Sequence, residues 1–205
     1  MSVSINCPAC AAAIDSVNPL SRTVVCDHCG NLVRFDNSSW IAEGAFGAPL
    51  DAPPLLHVGR SGQLHGQGFH VDGRVRLADG GSQWDEWWLM FDDGQGLWLE
   101  EDDGSYFLHT DATYAISDSL DDLRSKWPGQ TFAADGKDWF ITETGEASVV
   151  GVQGQLPVGL SPGLSVNFLD AVADGQELSV EIWMHEISVS VSKAISAADL
   201  VWAEF

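Results

Sequence analysis

Two pairs of cysteines, each separated by two residues, constrain this chain more than any other feature of its sequence. Cys7 and Cys10 form the first pair, and Cys26 and Cys29 form the second. Such a pair can direct both sulfurs to one ion, and two pairs complete the closed tetrahedral shell of structural zinc sites. The sequence therefore predicts an N-terminal zinc ribbon that holds one structural Zn²⁺ through all four cysteines. The alternative, free or redox-active cysteines, is disfavoured by the spacing.

The charge of the chain narrows the choice of partners. Its 205 residues include 30 Asp and Glu but only 9 Lys and Arg, which gives a formal net charge of -21. A field of this sign repels phosphate backbones and anionic lipid, so we expect no nucleic-acid binding and no direct hold on a membrane. It attracts cations, such as a basic protein surface, a polyamine or a metal ion. The alternative is that the acidic residues only keep the protein soluble.

The N-terminal residues and the cysteine pairs together predict where the protein is located in the cell. The first residues contain no basic segment followed by an apolar run, and no apolar stretch reaches membrane-spanning length, so we expect neither a signal peptide nor membrane insertion. Cysteine pairs without an export signal indicate metal ligands in a reducing environment. A cytoplasmic location is the prediction.

Four segments can be distinguished along the chain. Residues 1–38 form the predicted zinc ribbon, and residues 39–54 are a predicted linker rich in Gly and Pro. Residues 55–118 and 119–205 are two predicted β repeats, with short helical turns expected only within 117–126 and 196–202. Alternating apolar residues indicate strands, as in the series Leu178, Val180, Ile182 and Met184. Turns are predicted at Asp79-Gly80-Gly81, Asp93-Gly94, Asp103-Gly104, Asp135-Gly136, Thr144-Gly145 and Asp174-Gly175.

An internal repeat supports this division. Residues 93–100 match residues 174–181 at a constant offset of 81, each beginning with Asp-Gly-Gln and ending in Glu. Neither half has enough strands to bury its apolar face alone. The predicted fold is therefore mainly β: an N-terminal zinc ribbon followed by two similar antiparallel β units packed as a barrel or sandwich.

A tryptophan-rich strand is the second informative segment. Trp84, Glu86 and Trp88 share one face, and the opposite face is also apolar, which indicates a central strand covered on both sides. One interpretation is an aromatic pocket with an acid, suited to a cationic ligand. The alternative is a core carboxylate, Glu86, that pairs with Arg74 or Arg76 of the preceding strand or accepts hydrogen bonds from backbone amides of a turn.

Catalytic signatures are missing from the sequence. We find no nucleophile elbow, phosphate-binding loop or dinucleotide fingerprint, and all four cysteines are assigned to the metal. His28 lies between two predicted ligands, but four thiolates already saturate the ion, so we expect it to be an exposed turn residue. The sequence favours a non-catalytic protein.

Several motifs together resemble a known family. They are the paired cysteine knuckles, Val58-Gly59, Gly73-Arg74, Trp84-Asp-Glu-Trp87 and Leu97-Trp-Leu-Glu100. They are similar to those of the bacterial domain-of-unknown-function family 4178, whose members often carry such a ribbon ahead of a repeated β region. The resemblance implies an accessory role beside membrane-stress or polyamine-related proteins. It implies no catalytic residue, because no activity is established for the family.

Two functional hypotheses follow. The first is an acidic interaction or adaptor module that binds a larger protein, which is basic or membrane-associated. The second is a small-molecule binding protein or enzyme that uses the face of Trp84, Glu86 and Trp88, with a polyamine-like cation as its ligand.

Overall fold

The computed structural model describes residues 3–46, 55–183 and 186–203. Its strands are β1 (Val3–Asn6), β2 (Ala13–Val17), β3 (Thr23–Val25), β4 (Asn31–Asp36), β5 (Ser39–Ala45), β6 (Ser61–Leu64), β7 (Gln67–Asp79), β8 (Ser82–Phe91), β9 (Gly96–Asp102), β10 (Ser105–Asp111), β11 (Thr131–Ala134), β12 (Lys137–Leu156), β13 (Ser165–Ala173), β14 (Gln176–Trp183), β15 (Glu186–Ile195) and β16 (Leu200–Trp202). Helix is confined to α1 (Leu120–Arg124) and a 3₁₀ turn (Ala197–Asp199) in the described residues. Over these ranges, no helix has the length and apolar character needed to cross a membrane.

Eight antiparallel strands close into a barrel. The hydrogen-bonded order is β7, β8, β9, β10, β15, β14, β13 and β12, and β12 pairs again with β7. Closure leaves none of these eight strands with an unpaired edge. The predicted fold class is confirmed, with a barrel as the packing of the two β units.

The two halves of the barrel repeat one order of strands. The set β6 to β10 and the set β11 to β15 each begin with a short strand paired to a long one, followed by three more antiparallel strands. The halves join twice, where β7 meets β12 and where β10 meets β15. The offset of 81 also holds, since Asp93-Gly94 separates β8 from β9 and Asp174-Gly175 separates β13 from β14. The exact domain boundaries remain predictions.

Two-residue turns set the register of the hairpins. Positive φ at both central residues, the requirement of type I′ turns, occurs at four of them. They are His65-Gly66, Asp103-Gly104, Asp135-Gly136 and Asp174-Gly175. The turn predicted at Thr144-Gly145 is wrong, because both residues lie inside β12. A Cβ at Gly145 would come within 2.5 Å of the Phe168 ring, so this glycine allows close packing inside the barrel.

The ribbon is docked on the barrel through main-chain pairing. Strand β3 pairs with the end of β12, with Val24 opposite Gln155. The Thr23 hydroxyl donates to the Val158 carbonyl at 2.7 Å and accepts from the Leu160 amide at 2.9 Å. The ribbon sheet is therefore continuous with the barrel wall.

The structure differs from the sequence interpretation at residues 39–45. These residues form β5, which pairs with β4 and places Trp40 opposite Phe35, with the two rings 5.3 Å apart. The ribbon sheet, supported by this aromatic packing, therefore extends into the first part of the predicted linker. The linker is predicted from the Gly and Pro content of residues 39–54. Residues 47–54 of that predicted linker lie outside the described residues.

Apart from a small cluster around the cysteines of the ribbon, the buried apolar side chains fill three regions. One cluster lies against the outer face of the first half, under β6 and β16, and includes the fully buried Trp87. A second lies against the outer face of the second half, under β11 and α1, and includes Trp139. A third includes Val75 and Val149 and extends into the barrel. The prediction that the tryptophan-rich strand is covered on both faces is thus correct. Of the series ending at Met184, Leu178, Val180 and Ile182 are buried, and Met184 lies outside the described residues.

Candidate functional site

The four cysteines of the ribbon lie together. Their Sγ atoms are all within 4.8 Å of one another, with 3.8 Å between Cys7 and Cys29 and 3.9 Å between Cys10 and Cys26. Four sulfurs at about 2.3 Å from one ion would form a tetrahedron with edges of about 3.8 Å, whereas a disulfide needs about 2.05 Å. The cluster can therefore bind one metal ion.

The two knuckles have the same backbone geometry. The amide of Ala11 donates to the carbonyl of Cys7, and the amide of Gly30 donates to the carbonyl of Cys26, both at 2.8 Å. Both donors have positive φ, 62° and 68°. The Asn31 backbone amide donates to the Cys29 sulfur and is the main cause that lowers the pKa of that thiol to about 7. The thiolate form of Cys29 is thus accessible at neutral pH, whereas burial raises the pKa of the Cys26 thiol.

His28 is exposed in the second knuckle, as expected. It therefore does not complete the cluster.

The barrel encloses a cavity of about 910 Å³. Every barrel strand, from β7 to β10 and from β12 to β15, contributes at least one side chain to its wall. One representative from each strand, in chain order, is Val75, Glu86, Trp98, His109, Glu143, Phe168, Glu181 and Ser190. The cavity is therefore the interior of the barrel, and its size suits an organic ligand.

Four carboxylates, which we call the acid cluster, point into this cavity: Glu86, Glu100, Asp170 and Glu181. Glu86 and Glu100 are direct cross-strand neighbours on β8 and β9. Burial raises the pKa of Glu86 well above its usual range, and the charges of Glu181 and Glu100 raise it further. Like charges in this position destabilise a sheet, so the cluster needs protons or a cation to compensate it.

The other two acids show the same effect. Burial raises the pKa of Glu181, against the opposing effects of the Trp183 indole N–H and His109. Burial also raises the pKa of Asp170, to about 6, although the Ser179 hydroxyl stabilises its charged form. Both side chains are partly accessible from the cavity, so a ligand can reach them.

His109 lies beside the acid cluster. Its Nε2 atom is 2.9 Å from a Glu100 oxygen, and its Nδ1 atom is 3.0 Å from the Ser190 hydroxyl. Burial alone would lower the pKa of His109, but its hydrogen bond to Glu100 and the surrounding carboxylate charges raise it. The imidazolium form can offset only one of the four negative charges.

Aromatic side chains form the rest of the wall. The indole of Trp84 donates to Glu86 at 3.3 Å, and the indole of Trp183 donates to Glu181 at 2.9 Å. Trp84 meets Phe168 edge-on, with ring centres 5.7 Å apart. Acids held beside aromatic rings form an environment that favours organic cations.

Trp88, predicted on the same face as Trp84 and Glu86, does face inward. It packs against Trp98 with ring centres 5.1 Å apart and supports the cavity wall rather than lining it. Trp98 itself lines the cavity.

The ribbon completes one end of the cavity. Arg22, Arg34 and Phe35 line this part, which we call the ribbon end, together with the loop of residues 157–161 between β12 and β13. Arg34 is ion-paired with Glu43 at 2.7 Å. The guanidinium of Arg22 lies over the Phe35 ring, 5.3 Å from its centre. The ribbon thus forms part of the cavity wall in addition to carrying the cysteine cluster.

The arginine pairing considered for Glu86 is instead made by its neighbour. Asp85 accepts from Nε of Arg74 at 2.8 Å and from Nε of Arg76 at 3.0 Å, on the outer face of the barrel. Arg74 is fully buried, and its guanidinium lies 4.6 Å from the centre of the Trp87 ring. Asp85 is therefore the paired core carboxylate, and Glu86 faces the cavity.

Sequence reasoning missed most of the acid cluster. Glu100, Asp170, Glu181 and His109 were not singled out from the sequence. One signal for them was present, because the offset of 81 places Glu100 and Glu181 at equivalent positions of the repeat. Nothing comparable marked Asp170, which lies opposite Ser179 on the neighbouring strand.

Comparison with known proteins identifies the family. The model of a family described as "Domain of unknown function (DUF4178)" matches residues 57–197, and the chain belongs to that family. No curated protein matches the chain. No solved structure matches it either.

Proposed function

We propose that the barrel cavity binds an organic cation at the acid cluster through an ammonium group of the kind that polyamines carry. The observation that carries this proposal is the crowding of four carboxylates inside the barrel, in a cavity whose wall includes Trp84, Trp98 and Trp183. An ammonium group would compensate the negative charge of the cluster, and its alkyl chain would lie against the indole rings. Residues Glu86, Glu100, Asp170 and Glu181 would hold the charge.

The size and lining of the cavity favour an organic cation over a bare metal ion. Ca²⁺ and Mg²⁺ need a compact shell of oxygens at about 2.0–2.6 Å, whereas this cavity of about 910 Å³ is wide and has Trp84, Trp98, Phe168 and Trp183 among its carboxylates. Ammonium groups bind to carboxylates and to ring faces alike. The role proposed is binding, and no side chain in the cavity is assigned a covalent step.

Calorimetry and thermal unfolding with spermidine test this function. A ligand at a hundred times its Kd adds about 2.7 kcal/mol, which corresponds to roughly 5–10 °C for a domain of this size. The shift should persist when the ionic strength rises from about 0.05 to about 0.3 M, because a buried site is screened less than surface charge. Attraction to the surface alone would fade over the same range.

Variants of one strand separate the site from net charge. Glu181→Gln should weaken spermidine binding at least tenfold, because it removes a charge that a bound ammonium would contact. Glu177→Gln is the matched control, since Glu177 is exposed on the same strand and lies outside the cavity wall. Equal weakening by both variants would refute a specific site in the cavity.

For the cysteine cluster, we propose one structural Zn²⁺ bound by Cys7, Cys10, Cys26 and Cys29. The sulfur–sulfur distances near the edge length of a zinc tetrahedron support it. Such a site requires reduced thiols, which fits the proposed cytoplasmic location. Elemental analysis of the purified protein should find one zinc per chain, and a Cys26→Ser variant should contain far less.

The adaptor hypothesis is the second candidate and stays a prediction. Its ligand would be a basic or membrane-associated protein, recovered by affinity purification from the native cell. We place it second because the four acids of the cluster face the cavity, where a folded protein partner cannot contact them.

A further inference from the structure

The charges in the cavity wall are distributed unevenly. Nine carboxylates line it: Asp36, Glu86, Glu100, Asp102, Asp111, Glu143, Asp170, Glu181 and Glu186. The two guanidinium groups of the wall, those of Arg22 and Arg34, both belong to the ribbon end. Eight of the nine carboxylates lie on barrel strands, and Asp36 lies on β4 of the ribbon. A ligand that spans the cavity would therefore meet carboxylates along the barrel and guanidinium groups at the ribbon.

The two arginines differ in how they are satisfied. Arg34 is held by Glu43 at 2.7 Å and is 3.9 Å from Asp36. The Arg22 side chain is exposed, and its guanidinium packs on Phe35 without a carboxylate partner in the described part of the chain. The chain has 30 acidic residues and 9 basic ones, so an arginine without a carboxylate partner is unusual here. An anionic group of a ligand can bind to the Arg22 guanidinium.

The position of Arg22 is fixed by its backbone. Its amide donates to the carbonyl of Leu156 on β12, and its carbonyl accepts from the amide of Phe35 on β4, each at 2.8 Å. The same residue is therefore tied to both the barrel and the ribbon, and the Phe35 ring supports its side chain. A guanidinium held in this way is preorganised to bind a carboxylate through two parallel hydrogen bonds.

We propose that the ligand of the cavity is an amino carboxylate, with its ammonium group at the acid cluster and its carboxylate at Arg22. This inference rests on the function proposed for the cavity and adds that the other end of the ligand is negatively charged. A polyamine would place a second ammonium group against Arg22, where the like charges repel. A phosphate, with its higher charge, would be repelled more strongly than a carboxylate by the nine acids of the wall.

Two ligand series of matched length test the inference by calorimetry. One contains linear α,ω-diamines and the other contains linear ω-amino acids, each with four, six and eight carbons, so that no span needs to be assumed. The proteins are the wild type, Arg22→Gln and Lys193→Gln. Lys193 is exposed on β15 and lies outside the cavity wall, so its variant removes the same charge without touching the site.

We expect Arg22→Gln to affect only ligands that carry a carboxylate. The best-fitting ω-amino acid binds the wild type more tightly than its diamine does, and Arg22→Gln weakens it roughly five- to tenfold, as expected for a charge-assisted contact. The same variant leaves diamine binding unchanged or stronger, and Lys193→Gln changes neither. Zinc content and melting temperature are measured for each variant to show that the ribbon remains docked.

Two other outcomes are distinguishable. If diamines bind and Arg22→Gln leaves the ω-amino acids unaffected, or acts no differently from Lys193→Gln, the amino carboxylate is wrong and the cation site stands. If no member of either series binds the wild type, the proposed function fails together with the inference.

Discussion

Replacing Asp170 by Asn should stabilise the ligand-free protein. The carboxyl has a usual pKa of 3.8, and burial in the cavity wall raises it to about 6. Because the folded state holds this proton more tightly than the unfolded state, the stability is intact below pH ~4 and falls as the pH rises towards 6. At pH ~7.5 the free energy of unfolding has fallen by the full effect of the pKa difference, which at 1.36 kcal/mol per unit amounts to about 3 kcal/mol. At pH ~5 it has fallen by about 1.5 kcal/mol.

An amide cannot ionise but still accepts the hydrogen bond from Ser179, so the variant avoids this loss. Urea unfolding should show Asp170→Asn to be more stable than the wild type by up to about 3 kcal/mol at pH ~7.5, and by about half of that at pH ~5. Asp138→Asn is the control, since Asp138 is exposed at the start of β12 and outside the cavity wall. A gain that does not change with pH, or a loss of stability at pH ~7.5, would refute the electrostatic argument.

Three further predictions concern other parts of the molecule. Asp85→Asn removes a buried carboxylate that is ion-paired with Arg74 and should cost about 3–5 kcal/mol in urea unfolding. Asp121→Asn, which removes a surface ion pair 3.6 Å from Arg124, should change stability by less than about 1 kcal/mol. Ala11→Gly should stabilise the ribbon by up to about 1 kcal/mol, because Ala11 has φ 62°, where Gly is not strained. Gly30→Ala, at φ 68°, should destabilise it by a similar amount. Thermal unfolding measures both, and a loss for Ala11→Gly or a gain for Gly30→Ala would contradict the backbone explanation. Removing the proposed Zn²⁺ with a chelator should unfold the ribbon and leave the barrel strands folded, as measured by circular dichroism. It should also weaken spermidine binding, because the ribbon forms one end of the cavity.

Local signals in the sequence were sufficient for the ribbon and for the order of the strands. The cysteine spacing predicts the cluster of sulfurs, because each knuckle is closed by hydrogen bonds within six residues of chain. Asp103-Gly104 and Asp174-Gly175 predict tight turns because Gly adopts positive φ without strain and Asp tolerates it. These features depend on neighbours in the chain, and no distant contact overrides them.

The interior of the barrel could not be assigned from the sequence. Both faces of β8 are covered, so alternation alone does not show whether Asp85 or Glu86 faces inward. The decisive feature is a bulge in β7 between Val71 and Gly73, which reverses the alternation and places Arg74 and Arg76 on the outer face beside Asp85. A bulge of this kind depends on how β7 pairs with its neighbours, and pairing across the sheet is not encoded locally.

The repeat explains why the cavity suits an asymmetric ligand better than a symmetric one. Glu100 and Glu181 occupy equivalent positions and supply one acid from each half of the barrel. Their cross-strand partners differ, because Glu100 faces Glu86 whereas Glu181 faces Phe168. Two residues before these glutamates, the first half has rings where the second half has a carboxylate. Trp98 pairs with Trp88, whereas the equivalent Ser179 pairs with Asp170. The two halves thus present rings and carboxylates in opposite layers, and the ribbon that carries Arg22 and Arg34 joins the barrel at β12. A ligand with identical ends would meet different surroundings at each end, whereas one with unlike ends can match both.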